Sequence, residues 1–225
     1  LHLLGMIAKQ AGESKIAVDL ITQALSVMPD YVDAHNNLGI VLKDQGKLDE
    51  AVTRYRKAIA IKPEYAEAHF NLGNALQELG QLDEAIISYN NALAIKGDYA
   101  EAFNNRGIAL RDLKKLNEAL DSYQKALAIK PDHIESLNCL GNVLKDMKRL
   151  DEAVASYKKA LDIKPDYVEA YSNLSIALKE QGKFDEAVAS CQKALDIRPN
   201  YAEAHNNLGV TLKDLGKPDE AIASF

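Results

Sequence analysis

Apolar residues in this chain recur at helical spacing, in short blocks broken by turn residues. From Val32 to Tyr65 the sequence reads VDAHNNLGIVLKDQGKLDEAVTRYRKAIAIKPEY. In its first half Ala34, Leu38, Val41, Leu42 and Gln45 lie three or four residues apart, the spacing of one helical face. Gly46-Lys47 breaks that pattern, and Asp49 and Glu50 then put acids in the first turn of a second helix, where they complement its dipole. Leu48, Val52, Tyr55, Ile59 and Ile61 give this second helix its apolar side, and Pro63 ends it because proline lacks the N–H a helix interior needs. The stretch predicts two helices joined by a tight turn.

The same pattern returns every 34 residues without an insertion. Full units begin at Val32, Ala66, Ala100, Ile134 and Val168 and run 32–65, 66–99, 100–133, 134–167 and 168–201; partial units cover 1–31 and 202–225. Slots are counted from the first residue of each unit. Slot eight is Gly5, Gly39, Gly73, Gly107, Gly141, Ser175 and Gly209, and slot twenty is alanine from Ala17 to Ala221. These small residues predict close approach of backbones where the two helices cross. Proline closes the units at Pro29, Pro63, Pro131, Pro165 and Pro199, with Gly97 in its place once. The whole chain, 1–225, reads as a single repeat array of all-α class.

Composition narrows the function. The chain is 47% hydrophobic and 27% charged, enough to bury apolar surface and stay soluble. Its net charge of −6, with no Lys/Arg-rich run, argues against nucleic acid as a partner. No apolar stretch has the length of a membrane span, and Leu1 to Ala11 carries neither the basic start nor the cleavage site of a signal peptide. Cys139 and Cys191 are isolated thiols outside any C-x-x-C spacing, which points away from disulfides and zinc and toward the cytoplasm.

A 34-residue helix–turn–helix period resembles the tetratricopeptide repeat (TPR) family, whose pattern W-x2-L-G-x2-Y…A-x3-F…P falls on His35, Leu38, Gly39, Leu42, Ala51, Tyr55 and Pro63. The tryptophan slot holds His35, His69, Phe103, Leu137, Tyr171 and His205. Arg106 stands where its neighbours have leucine, and Lys114 and Lys148 replace the turn glycine. The resemblance implies an α-α superhelix, a solenoid stabilised by stacking of neighbouring repeats. It also implies that the first helices line a concave groove.

The register isolates one candidate site. Slot six holds Asn37, Asn71, Asn105, Cys139, Asn173 and Asn207; slot five holds Asn36, Phe70, Asn104, Asn138, Ser172 and Asn206. Asparagine is a mediocre helix former, so helix stability does not explain its return. Its amide donates and accepts, which suits it to hold a peptide backbone whatever the side chains are. Stacked helices about 8–10 Å apart would offer an extended ligand, at about 3.3 Å per residue, one amide every three residues or so. This is similar to the asparagine ladder in the TPR arm of O-linked N-acetylglucosamine transferases. Asn74 and Asn142 in slot nine, with Phe70, Ile40 and Ile108, extend the candidate surface. The alternative is that the asparagines bond to the neighbouring repeat, copied by duplication.

Charge follows the repeat too. Slot two is always acidic, from Asp33 to Glu203, and slot thirteen is acidic from Asp44 to Asp214. Slot twelve is basic at Lys43, Arg111, Lys145, Lys179 and Lys213, with Gln77 the exception. Solvated charges pairing between repeats account for the rows, and Lys43, Arg111, Lys145 and Lys179 join the candidate ligand contacts. Co-chaperone TPR domains grip a carboxylate tail with bases in slots two and six. Acids in slot two and Asn or Cys in slot six argue against that activity.

Catalytic motifs are missing. There is no G-x-x-x-x-G-K-[ST], G-x-S-x-G or H-E-x-x-H. His35, His69 and His205 share a slot but are a repeat or more apart, too far for one metal ion, and read as packing. His133 takes a tyrosine slot and Cys191 a core slot, whereas Cys139 faces the groove. No cofactor is implied. The chain starts inside a first helix and stops inside a second, without the polar cap of a finished solenoid, so a piece of a longer protein, or of a longer repeat array with disordered ends, is expected. The sequence reads as a non-catalytic scaffold that binds protein or peptide segments. The alternatives are the substrate-recognition arm of a glycosyltransferase or sulfotransferase, and end-to-end self-association.

Overall fold

The two helices of each unit form at nearly constant lengths, because the same stop signals recur. The computed structural model describes residues 1–224; Phe225, the last residue of the final partial unit, lies outside them. Chain order gives α1 (His2–Gln10), α2 (Ser14–Val27), α3 (Val32–Asp44), α4 (Leu48–Ile61), α5 (Ala66–Glu78), α6 (Leu82–Ile95) and α7 (Ala100–Asp112). It continues with α8 (Leu116–Ile129), α9 (Ile134–Asp146), α10 (Leu150–Ile163), α11 (Val168–Glu180), α12 (Phe184–Ile197), α13 (Ala202–Asp214) and α14 (Pro218–Ala223). The described residues contain no strand, so the fold is all-α, and each odd-numbered helix is the first of a pair.

First helices end in a left-handed residue. Gly46 has φ 75°; its N–H bonds to Lys43 O at 2.8 Å, and that of Lys47 reaches back to Leu42 O at 2.9 Å. This pair of bonds satisfies carbonyls that the last helical turn leaves open. Lys148 takes the same conformation at φ 61° with the same bonds, from its own N–H to Lys145 O and from Arg149 N–H to Leu144 O. Lys114 also sits at φ 61°. The turn thus survives the loss of glycine, at a cost of about 1–2 kcal/mol for each L-residue held there.

The small slots pack differently from the expectation. The alanines of slot twenty are buried at the pair crossing as predicted, Ala51 and Ala85 at 0% exposure. The slot-eight glycines, however, admit a tyrosine ring rather than a backbone. A Cβ added to Gly39, Gly73 or Gly141 would lie 2.5, 2.6 or 2.4 Å from the Cε1 of Tyr55, Tyr89 or Tyr157. Those rings are fully buried. Where slot eight is Ser175, the tyrosine is replaced by the small, buried Cys191. Gly5 faces Ile21 in the same way.

Two compact units divide the chain, Leu1–Leu113 and a second beginning at Lys114. In the first unit α3 touches α1 and α5, and α5 touches α7; in the second α11 touches α9 and α13. The second helices of neighbouring repeats stand farther apart, α4 and α6 being bridged by long side chains in the Arg56–Glu84 ion pair at 3.0 Å. The row of first helices is therefore the inner, more tightly curved layer of each unit, and its outward residues pave a concave surface.

Candidate functional site

The slot-six asparagines stand half-buried on that inner layer, and each reaches back one repeat. Asn71 Nδ2 donates to Asn36 Oδ1 at 3.0 Å, Asn173 Nδ2 to Asn138 Oδ1 at 3.0 Å, and Asn207 Nδ2 to Ser172 Oγ at 3.0 Å. Asn37 follows suit with His2 Nε2 at 2.8 Å, His2 being the slot-five residue of the first partial unit. Burial lowers the pKa of His2 against the opposing pull of Asp33, so the neutral ring presents Nε2 as an acceptor while Nδ1 faces the Tyr31 hydroxyl at 3.0 Å.

Asn105 shows the rule by its exception. Its slot-five neighbour one repeat back is Phe70, which has no acceptor, and Asn105 Nδ2 instead donates to Asn74 Oδ1 in slot nine at 2.9 Å. Asn104 donates to Asn105 Oδ1 at 3.1 Å. The alternative raised by the sequence, bonds to the neighbouring repeat, is thus present at every one of these positions. The slot-five side chains Asn36, Asn104 and Asn138 are buried, at 4, 6 and 7% exposure, and each is bonded to a slot-six amide.

Slot nine proves to be a partner for the buried tyrosine. Tyr157 Oη donates to Asn142 Oδ1 at 2.8 Å; Tyr89 Oη lies 2.9 Å from Asn74 Oδ1 and 2.7 Å from Gln77 Oε1. Where slot nine is Ile40, the Tyr55 hydroxyl is buried with no hydrogen-bond partner among the described residues. Phe70 is half-buried, its ring 4.8 Å from that of Tyr99 and 6.1 Å from that of Tyr89.

The charged rows mostly pair between repeats. A slot-twelve base meets the slot-thirteen acid of the next unit at Lys9–Asp44 (3.1 Å), Lys43–Glu78 (3.1 Å) and Lys179–Asp214 (3.9 Å). Lys148 takes over for Lys145, holding Glu180 at 2.9 Å, whereas Lys145 comes no nearer than 3.9 Å to Asp146. Arg111 lies half-buried in the same row on α7. Slot-two acids turn toward the inter-repeat turns: Asp33 accepts from Tyr65 at 3.0 Å and Glu169 pairs with Arg198 at 3.2 Å.

The histidines brace the turns. His35, His69 and His205 each bring Nε2 to the carbonyl of the proline six residues earlier, at 2.7, 3.0 and 2.8 Å. His133 caps α9, its Nδ1 accepting from Ser136 N–H at 3.2 Å. Burial raises the pKa of the Cys191 thiol, away from thiolate reactivity. Cys139 is half-buried. Among the described residues no three His, Cys, Asp or Glu side chains gather as metal ligands do, and no helix is long and apolar enough to cross a membrane.

Comparison with known proteins identifies the repeat. A family profile described as TPR repeat matches residues 41–80, 141–182 and 176–216, more than half the chain. Profiles described as tetratricopeptide repeat match 64–132 and 122–155. The chain belongs to the tetratricopeptide repeat family. Among solved TPR structures, one from Parabacteroides merdae superposes with a TM-score of 0.80 at 20% identity, over 98% of this chain and 87% of its own. MamA matches at 28% identity and a TM-score of 0.68, over 74% of this chain and 97% of its own. YrrB, described as a TPR protein with an unusual peptide-binding site, matches at 23% identity and 0.68, over 82% and 95%. No curated protein matches the TPR chain.

Proposed function

We propose that this TPR array is a non-catalytic protein-interaction scaffold whose inner layer of first helices binds extended segments of other proteins. The observation that carries the reading is the half-used amide. Asn37, Asn71, Asn173 and Asn207 each commit one N–H to the preceding repeat. Among the described residues the second N–H and the Oδ1 of each have no further hydrogen-bond partner, and the residues are half-buried on the concave side. The inter-repeat bond fixes the amide's orientation before a ligand arrives, which removes an ordering cost from binding. Bracing and binding are then two uses of one side chain.

Each net hydrogen bond contributes about 0.5–1.5 kcal/mol, so several rungs and apolar contacts at Phe70, Ile40 and Ile108 give micromolar affinity. Asn74 and Asn142 set the tyrosines beneath this surface, and Lys43, Arg111, Lys145 and Lys179 border it. That YrrB, similar in fold, is described as having a peptide-binding site supports the reading. The same surface serves whether the array works alone or as the substrate-recognition arm of a larger glycosyltransferase or sulfotransferase. Free thiols at Cys139 and Cys191 favour a reducing, cytoplasmic setting.

The test is a pull-down from the source cell's lysate with wild type and an Asn71→Ala/Asn105→Ala variant, helicity of both being checked by circular dichroism. Partners lost with the variant while helicity persists support the reading; an identical list moves binding off the asparagines. End-to-end self-association is a second reading. It predicts a solution mass that rises with concentration.

A further inference from the structure

The row of ion pairs between slots twelve and thirteen is broken once within the first unit. Lys9 meets Asp44 and Lys43 meets Glu78, but the next slot-twelve residue is Gln77, which carries no charge for Asp112. Gln77 turns away, its Oε1 2.7 Å from the Tyr89 hydroxyl. Asp112 stays exposed and makes no ion pair among the described residues.

A cavity of about 480 Å³ opens at this break, lined by Gln77 and Asp112 together with Asn74, Asn105, Glu78 and Leu82. The Lys43–Glu78 pair stands at one side. The Asn74–Asn105 amide pair, bonded at 2.9 Å, supplies the polar wall. Leu82 is half-buried and offers an apolar surface for a methylene stem.

We propose that this cavity takes a lysine or arginine side chain of the bound segment, whose cation completes the ion pair that Gln77 leaves open at Asp112. The inference rests on the first-helix surface being the binding face, and it adds what that face selects. An ammonium or guanidinium placed here repeats the contact that Lys9 and Lys43 make with the acids of the following repeats. Its stem lies along Leu82, and the amides of Asn74 and Asn105 border it.

A peptide library tests it: nine-residue peptides of mixed sequence with the central position fixed as Arg, Lys, Ala or Glu, bound to wild type, Asp112→Asn and Gln77→Lys. Gln77→Lys supplies the missing base from the protein and fills the cavity without removing an acid. The expected result is that wild type prefers central Arg or Lys over Ala by roughly fivefold and disfavours Glu, and that both variants lose the preference while still binding the library. Thermal melts confirm that both variants fold. Peptide binding by wild type with no basic preference, or a preference that persists in Gln77→Lys, overturns the pocket and leaves the groove reading standing. Binding of no peptide by any form overturns the groove reading and the pocket with it.

Discussion

Asn71 donates a side-chain N–H to Oδ1 of Asn36, 35 residues earlier, across the seam between two repeats at 3.0 Å. Asn36 is 4% exposed, so its acceptor has no water to fall back on. Asn71→Ala is expected to cost about 1–3 kcal/mol through the buried acceptor it strands, and Asn36→Ala less. A double-mutant cycle, read from chemical denaturation fitted to a nearest-neighbour repeat scheme, is expected to give a favourable coupling near 1 kcal/mol.

The ring of Tyr55 and the missing side chain of Gly39 share one space, as Cys191 and Ser175 share its equivalent. Gly39→Ser alone is expected to destabilise by about 1–3 kcal/mol through overpacking. Tyr55→Cys alone is expected to cost about 3–5 kcal/mol through the void it leaves. Together they rebuild the Ser–Cys pair, and the double variant is expected to be more stable than the two single costs imply. Denaturation midpoints of the four proteins check this.

Tyr55 and Tyr89 are equally buried but differently partnered. Tyr89 reaches Asn74 and Gln77, while Tyr55 faces Ile40 and has no bond for its hydroxyl. Tyr55→Phe is therefore expected to be neutral or stabilising. Tyr89→Phe is expected to lose about 1 kcal/mol because it leaves amide groups without their partner. Thermal melts of both variants would show the opposite signs.

Most of the fold was legible in the letters because a 34-residue period multiplies every weak signal. One helical face at Ala34, Leu38, Val41 and Leu42 is ambiguous alone, but its return in six further units is not. Lys114 and Lys148 read correctly as turn positions, since the register located them before the φ of 61° did. What the sequence did not yield was the meaning of its covariation. That Ser175 travels with Cys191, and that Asn74 and Asn142 bond the hydroxyl beneath them, follows from contacts between helices that one-dimensional spacing does not encode. The asparagine row was found from the register alone. Its bond to slot five depends on the small offset between stacked repeats, and so appears only in three dimensions.

Burial holds the hydroxyls of Tyr55, Tyr65, Tyr89, Tyr99 and Tyr167 protonated. It pushes Tyr99 and Tyr167 up to about 12 and raises Tyr55 and Tyr89 further, with an added contribution at Tyr65 from its bond to Asp33. The unfolded chain loses these protons near pH 10, before the native state does, so folding holds the extra protons. Their contribution to stability is complete below pH 10 and is lost as pH rises through 12. Denaturation midpoints are expected to fall steeply across that window.

The central claim is that the slot-six amides are at once braced and open. Its most direct test follows the side-chain amide NMR signals of the asparagines while a peptide selected from the fixed-centre library is added. The account predicts saturable shifts at Asn37, Asn71, Asn105, Asn173 or Asn207, in a contiguous run, while the exposed second-helix residues Asn90, Asn91 and Asn117 stay still. Shifts confined to Asn90, Asn91 and Asn117, with the slot-six signals unmoved at saturation, would contradict it.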